Sequence, residues 1–285
     1  MIKKIMNIIA LLIVTGGVIL ICYPSFSSYI NDKFAYKDVE KYKNQVEEYS
    51  KDKVNKMLDM ASAYNLSLPK SYPVDPFSKQ NVSDISGTEF ENFSMLQDGT
   101  MLGYVEIPVI DVYLPVYYGT SSKVLKDGLG LVENSSLPVG GKGTHAVISG
   151  HTGMASKKML TDLNLVKKGD LFFVHVLNKD FAYQVNQIKV VLPENTEDLL
   201  IEEDKDYVTL LTCTPFGIND HRLLVRGERI SYNFSNENEY TITPEVAINK
   251  YLWLLVLGSI IFIILVIVFV KYIKRHGKKG GTKKQ

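Results

Sequence analysis

Cys213 ends the run Tyr207-Val208-Thr209-Leu210-Leu211-Thr212-Cys213, and Thr214-Pro215 follows it, a pair that stops a strand. A thiol at a strand end is held rigidly yet borders a loop, which is where a nucleophile can be both oriented and reachable. The plainer alternative is a free cysteine packed in a strand. Arg222 follows the loop that begins at Thr214. If the two strands pair as a hairpin, thiol and guanidinium meet at its open end, and an always-charged fork there can stabilise a developing oxyanion. A surface ion pair is the ordinary role for such an arginine. An acid or base must come from a histidine. His175 lies inside Phe172-Phe173-Val174-His175-Val176 and reads as a packing residue, His145 opens a strand and can bond to a loop, and His221 alternates away from Arg222. His151, in Ser149-Gly150-His151-Thr152-Gly153, has glycines on both sides that leave its ring accessible for proton transfer. Spacing alone leaves that choice open.

The elements that must hold these residues are mostly strands. Short β segments begin near Gly103, broken by Pro108 and Pro115, and continue over 145–148, 171–176, 181–188, 207–213 and 222–230, with Gly140-Gly141 and Lys168-Gly169-Asp170 as turns. The class expected is mainly β, a closed barrel. Before it, Val39, Tyr42, Val46 and Tyr49, then Met57, Met60, Ala61 and Tyr64, form an apolar stripe that predicts one amphipathic helix over 32–66. Pro69 and Pro73 forbid its continuation, and the segment 68–86, rich in Pro, Ser, Asp and Asn, predicts a long irregular loop.

The 285 residues carry 32 basic and 31 acidic side chains, and that balance hides a sorting along the chain. Residues 5–22 hold no charge and follow Lys3 and Lys4; they suit a membrane span, with a cleaved signal peptide as the alternative. Residues 251–270 are apolar apart from Ser259 and Gly258, and seven basic residues follow without an acid. That pattern predicts a transmembrane helix, and the positive-inside rule places both termini in the cytoplasm with the middle outside. Setting aside the nine flanking basic residues leaves 23 basic against 31 acidic ones, a net −8 for the exterior segment. The basic tail therefore reads as a lipid-headgroup anchor, not a nucleic-acid patch. Cys22 lies in the first apolar run, so Cys213 is the sole cysteine outside, which excludes a disulfide framework and four-cysteine zinc sites.

With those residues in hand, the sequence resembles the sortase family, the cysteine transpeptidases of Gram-positive cell surfaces. Ser149-Gly150-His151-Thr152-Gly153 is similar to the family's histidine motif, Thr209-Leu210-Leu211-Thr212-Cys213 to its nucleophile motif, and Arg222 to its arginine; 103–108, 136–141 and 192–196 also look like family segments. The C-terminal span and Asp75-Pro76-Phe77 are similar to the pilus-assembling class C sortases, although the family often carries Trp at the position of Phe77. The resemblance implies a sortase-type barrel, catalytic Cys213, His151 and Arg222, and a lid in which Asp75 pairs with Arg222 and Phe77 covers Cys213. A turn-forming Asp-Pro in a surface loop is the alternative for the lid. Thr212 would contact substrate or shape the pocket. The implied partners are surface proteins with an LPXTG-like sorting signal, with a pilin lysine or a peptidoglycan-precursor amine as acceptor; no cofactor and no metal are expected. A sortase of another class that attaches surface proteins to peptidoglycan, a plain exterior cysteine peptidase and a non-catalytic binding barrel are the competing readings. The expected organisation is a cytoplasmic start and first span or signal anchor over 1–30 and a helical extension over 31–67. The lid loop and linker follow over 68–99, the catalytic barrel over 100–232 and a juxtamembrane linker over 233–250. A transmembrane helix over 251–270 and a basic cytoplasmic tail over 271–285 complete it.

Overall fold

The computed structural model describes residues 2–68, 75, 77, 88–154, 156–234, 256–262, 264, 266–269 and 271. The chain divides into two compact units: 1–31 with 155–157 and 244–285, and 32–154 with 158–243. Helix α1 (Ile2–Glu47) begins in the first unit and runs on into the second; its Leu12–Glu47 stretch is long and apolar enough to cross a membrane, and Val256–Phe269 is a shorter apolar helix. The aromatic anchors expected at Tyr251 and Trp253, and the basic tail beyond Lys271, lie outside the described residues, as does most of the 233–250 linker.

The helix expected over 32–66 is two helices. After α1 ends at Glu47, α2 runs Lys51–Ser67. Ser50 makes the break: its backbone is extended (φ −62°, ψ 151°) and its hydroxyl accepts the Lys53 N–H at 3.2 Å. That is the N-cap geometry serine favours, and it outweighs the continuing apolar stripe.

The second unit is built on a closed barrel in the order β1-β2-β3-β4-β7-β8-β6-β5, from β1 (Met101–Ile107), β2 (Val112–Tyr118), β3 (Leu129–Leu131), β4 (Thr144–Ser149), β5 (Leu171–Val176), β6 (Lys179–Val191), β7 (Asp206–Thr214) and β8 (His221–Ile230). Pairs β2/β3 and β4/β7 are parallel and the rest antiparallel. Pro108 does end β1, opening a 3₁₀ turn that Asp111 closes at φ 53°. Pro115 does not break β2. It pairs with Tyr104 on one side, whereas β3 joins β2 only from Val116 on, so the missing N–H falls where the strand has no second neighbour. A short helix α3 (Ser122–Asp127), capped by Ser121, leads into β3, whose three residues are too few to show a period.

Inside the barrel Phe172 and Tyr183 stack with centroids 5.5 Å apart, amid fully buried Leu102, Ile107, Leu129, Leu131, Ile148 and Leu210. The helices bind to this frame by hydrogen bonds that the apolar stripe did not reveal. The Tyr42 hydroxyl of α1 donates to the Leu102 carbonyl (2.5 Å) and accepts the Leu177 N–H (2.8 Å), bridging β1 and β5 just past the end of their ladder. Asn65 of α2 donates to the Leu137 carbonyl (2.9 Å) and accepts its N–H (2.7 Å), a buried amide satisfied at both ends.

Candidate active site

Strand register places the chemistry. Cys213 and Arg222 are direct partners across β7 and β8, so the hairpin expected from spacing is present. Parallel pairing of β4 with β7 sets Ser149 opposite Leu211, which brings the end of β4 beside the end of β7. Gly150 is then clamped to β7 twice: its N–H donates to the Leu211 carbonyl (3.0 Å) and its carbonyl accepts the Thr212 hydroxyl (2.7 Å). His151 is the next residue, its own carbonyl accepting the Leu160 N–H at 3.1 Å. Thr212 is 2% exposed, so its hydroxyl works inward, shaping the pocket by tying the histidine loop to the cysteine strand. The peptide after Thr214 is cis, as the chain turns into the loop before β8.

Arg222 is buried, and a carboxylate meets it. Asp75 accepts from Nε (2.7 Å) and Nη2 (2.9 Å), a bidentate pair, while Nη1 donates to the carbonyls of Asn219 (3.2 Å) and His221 (3.1 Å). Phe77 lies near both Arg222 and His151. The Arg222 guanidinium lies 5.1 Å from the centre of the Phe77 ring, and the His151 ring lies 5.6 Å from it. Phe77 also packs on a small apolar cluster of Val132, Val147, Leu199, Leu211 and Leu224, together with Val191. Thus Asp75, Phe77, His151, Cys213 and Arg222 converge; Pro76 lies outside the described residues.

Electrostatics in this arrangement favour neutral groups. Burial pushes the Cys213 thiol up, Arg222 opposes that, and Asp75 adds to it. Burial pulls His151 down. With Asp75 filling the arginine fork, thiol and imidazole rest uncharged.

Among the described residues, the other three histidines are occupied elsewhere. His145 is fully buried between the Leu200 carbonyl and the Thr209 hydroxyl. His175 stacks on Tyr104 at 4.3 Å and its Nδ1 pairs with Asp180 at 2.6 Å, so the packing residue read from the sequence also carries an ion pair. His221 pairs with Asp220 at 2.8 Å at the surface. The carbonyls that orient Arg222 and the apolar seat of Phe77 went unread, since backbone atoms and scattered Val and Leu residues leave no motif. Phe216 was also missed; its ring lies against Gly153, two residues past His151. Among the described residues no group of His, Cys, Asp and Glu is placed to hold a metal ion.

Residues 105–230 match the family model of the sortase domain. The chain is similar to the crystal structure of sortase C-1 from Streptococcus pneumoniae, with 46% identity, a TM-score of 0.63, and coverage of 69% of this chain and 100% of that one. It is similar to a Clostridium perfringens sortase C solved with the C-terminal cell wall sorting motif, at 44% identity and TM-score 0.60, covering 70% and 100%. A pilus-related sortase C of Group B Streptococcus aligns at 40% identity and TM-score 0.62, covering 69% and 98%.

Proposed function

The chain belongs to the sortase family of cysteine transpeptidases, and we propose that its own reaction is the joining of pilin subunits at the outer face of a membrane. The observation that carries the chemistry is the in-register pair Cys213–Arg222 beside a histidine loop clamped to the same strand. In this reading the Cys213 thiolate attacks the Thr carbonyl of an LPXTG-like signal, and Arg222 donates to the oxyanion. The tetrahedral intermediate collapses, the Thr–Gly bond breaks, and protonated His151 gives its proton to the leaving glycine amine. A thioacyl enzyme remains until a lysine amine of the next subunit attacks it, forming an isopeptide bond and returning the thiol.

Asp75 and Phe77 act as a lid in this scheme. The bidentate pair holds Arg222 away from an oxyanion, and the Phe77 ring covers the histidine side of the pocket. Opening frees the arginine and removes the nearby carboxylate that raises the thiol pKa. The apolar starts and the basic flanks favour a two-span anchor with both termini cytoplasmic and the catalytic unit outside. Support for pilin as the substrate comes from the class C neighbours.

The test is a mass measurement. Incubating the full chain with an LPXTG-type peptide is expected to give a thioacyl adduct on Cys213, resolved by a purified pilin alone. An adduct resolved only by a peptidoglycan-precursor amine would move the protein to surface anchoring. One resolved only by water would make it a peptidase, and no adduct at all would leave a binding barrel.

A further inference from the structure

The β6–β7 connection, residues 192–205, forms one wall beside the face of β7 that carries Thr209, Leu211 and Cys213 at alternate positions. Leu199 reaches from that wall into the cluster that seats Phe77 and is 2% exposed. The next carbonyl, Leu200, lies 2.8 Å from His145 Nδ1, and His145 Nε2 lies 2.7 Å from the Thr209 hydroxyl. The ring is 0% exposed and meets the edge of Tyr207, itself covered by Arg226 at 4.1 Å.

The chemistry of the partners fixes the tautomer. A carbonyl only accepts, so Nδ1 carries the proton; Nε2 then offers a lone pair, and Thr209 donates to it. Burial holds the pKa down to about 4, so the neutral form persists at working pH. The geometry points to His145 as a positioning residue for substrate recognition: it pins the β6–β7 wall to the nucleophile strand, and thereby sets the width of the apolar site that a sorting signal must enter when Phe77 leaves. This rests on the sorting-signal reading for its substrate. His145 touches no reacting atom. Its effect is expected in binding, not in the chemical step.

The test compares His145→Phe, His145→Asn and Thr209→Val in the full chain. Asparagine keeps a donor where Nδ1 stood, phenylalanine keeps only the bulk, and valine removes the hydroxyl at constant shape. With a fluorogenic LPXTG-type peptide, His145→Phe is expected to raise KM about tenfold, the scale of two lost buried hydrogen bonds, with kcat unchanged. Alkylation of Cys213 by iodoacetamide should keep its rate, and amide hydrogen exchange over 197–202 should quicken. His145→Asn should recover most of the KM, and Thr209→Val should shift it in the same direction by about threefold. Unchanged KM, unchanged exchange, equal behaviour of the Phe and Asn variants, or a loss confined to kcat would each overturn the assignment. Should His145→Phe fail to fold, the Asn and Val variants decide. A parent that turns over no sorting peptide sinks the substrate reading, while the exchange measurement still decides whether His145 pins the wall.

Discussion

Burial shifts Cys213 and His151 in opposite directions, the thiol up and the imidazole down, and so both sit neutral. A thiol whose pKa is raised reaches its reactive thiolate only at higher pH. The alkylation profile of the parent is therefore expected to have its midpoint above the ordinary thiol value of 9.0. Asp75→Ala removes a carboxylate that raises the thiol pKa and leaves Arg222, which lowers it, so the midpoint should move down. An iodoacetamide rate profile with the same midpoint in both proteins would contradict the lid. Arg222→Lys keeps a charge but loses the planar fork, and kcat is expected to fall about a hundredfold, the cost of one oxyanion donor. Single-turnover formation of the thioacyl adduct measures it. Spacing alone placed Cys213 and Arg222 at one hairpin end, where they pair in register, whereas His151 was one of four candidates until the sortase resemblance singled it out, and Asp75 came from that resemblance. The inward role of Thr212 was not legible, since a threonine before a cysteine reads alike whether its hydroxyl meets substrate or a carbonyl two strands' ends away.

Elements hold this site through register and through a few polar stitches. Losing the Thr212 hydroxyl in Thr212→Val leaves the Gly150 carbonyl unpaired in a buried place, and about 1–3 kcal/mol of stability is expected to go with it. Urea unfolding followed by the far-UV signal would show it, and a variant as stable as the parent would mean the carbonyl finds another donor. Gly103 poses a sharper limit. A Cβ there would run into the His175 carbonyl where β1 shifts register against β2, so Gly103→Ala should cost more than the valine change at Thr212. Strand positions from β4 onward were readable because apolar runs ended at glycines and charged turns. The break at Ser50 and the three residues of β3 were not. In the first, one cap outweighs a periodic stripe; in the second, three residues cannot display a period of two.

At the scale of the molecule, two buried histidines bracket the pH range of stability. His145 is lowered by burial to about 4 from 6.5, so the unfolded chain binds its proton first as pH falls; stability should decline below about 6.5 and level off near 4. His175 is also penalised by burial, but Asp180 and Glu106 outweigh it and raise its pKa above 6.5. Its contribution is full below 6.5 and lost as pH rises through the raised value. Thermal unfolding across pH is expected to show both limbs, with His145→Asn flattening the acid one and His175→Gln the alkaline one. Parallel curves for variant and parent would remove the assignment. The closed barrel was legible as a class, while its strand order was not, because the parallel neighbours β4 and β7 lie far apart in the chain.

In the proposed lid, the pair of bonds between Asp75 and Arg222 would also set a threshold on concentration. A pocket that is open for a fraction of the time binds with an affinity weakened by that fraction, so an opening of about one in a hundred makes a dilute free peptide about a hundredfold poorer as a ligand. With the proposed membrane anchor, a signal held in the same membrane plane would meet the pocket at a far higher effective concentration and lose little. The ion pair would thus sort substrates by how they are delivered, admitting tethered chains and ignoring stray ones without reading a further residue of their sequence.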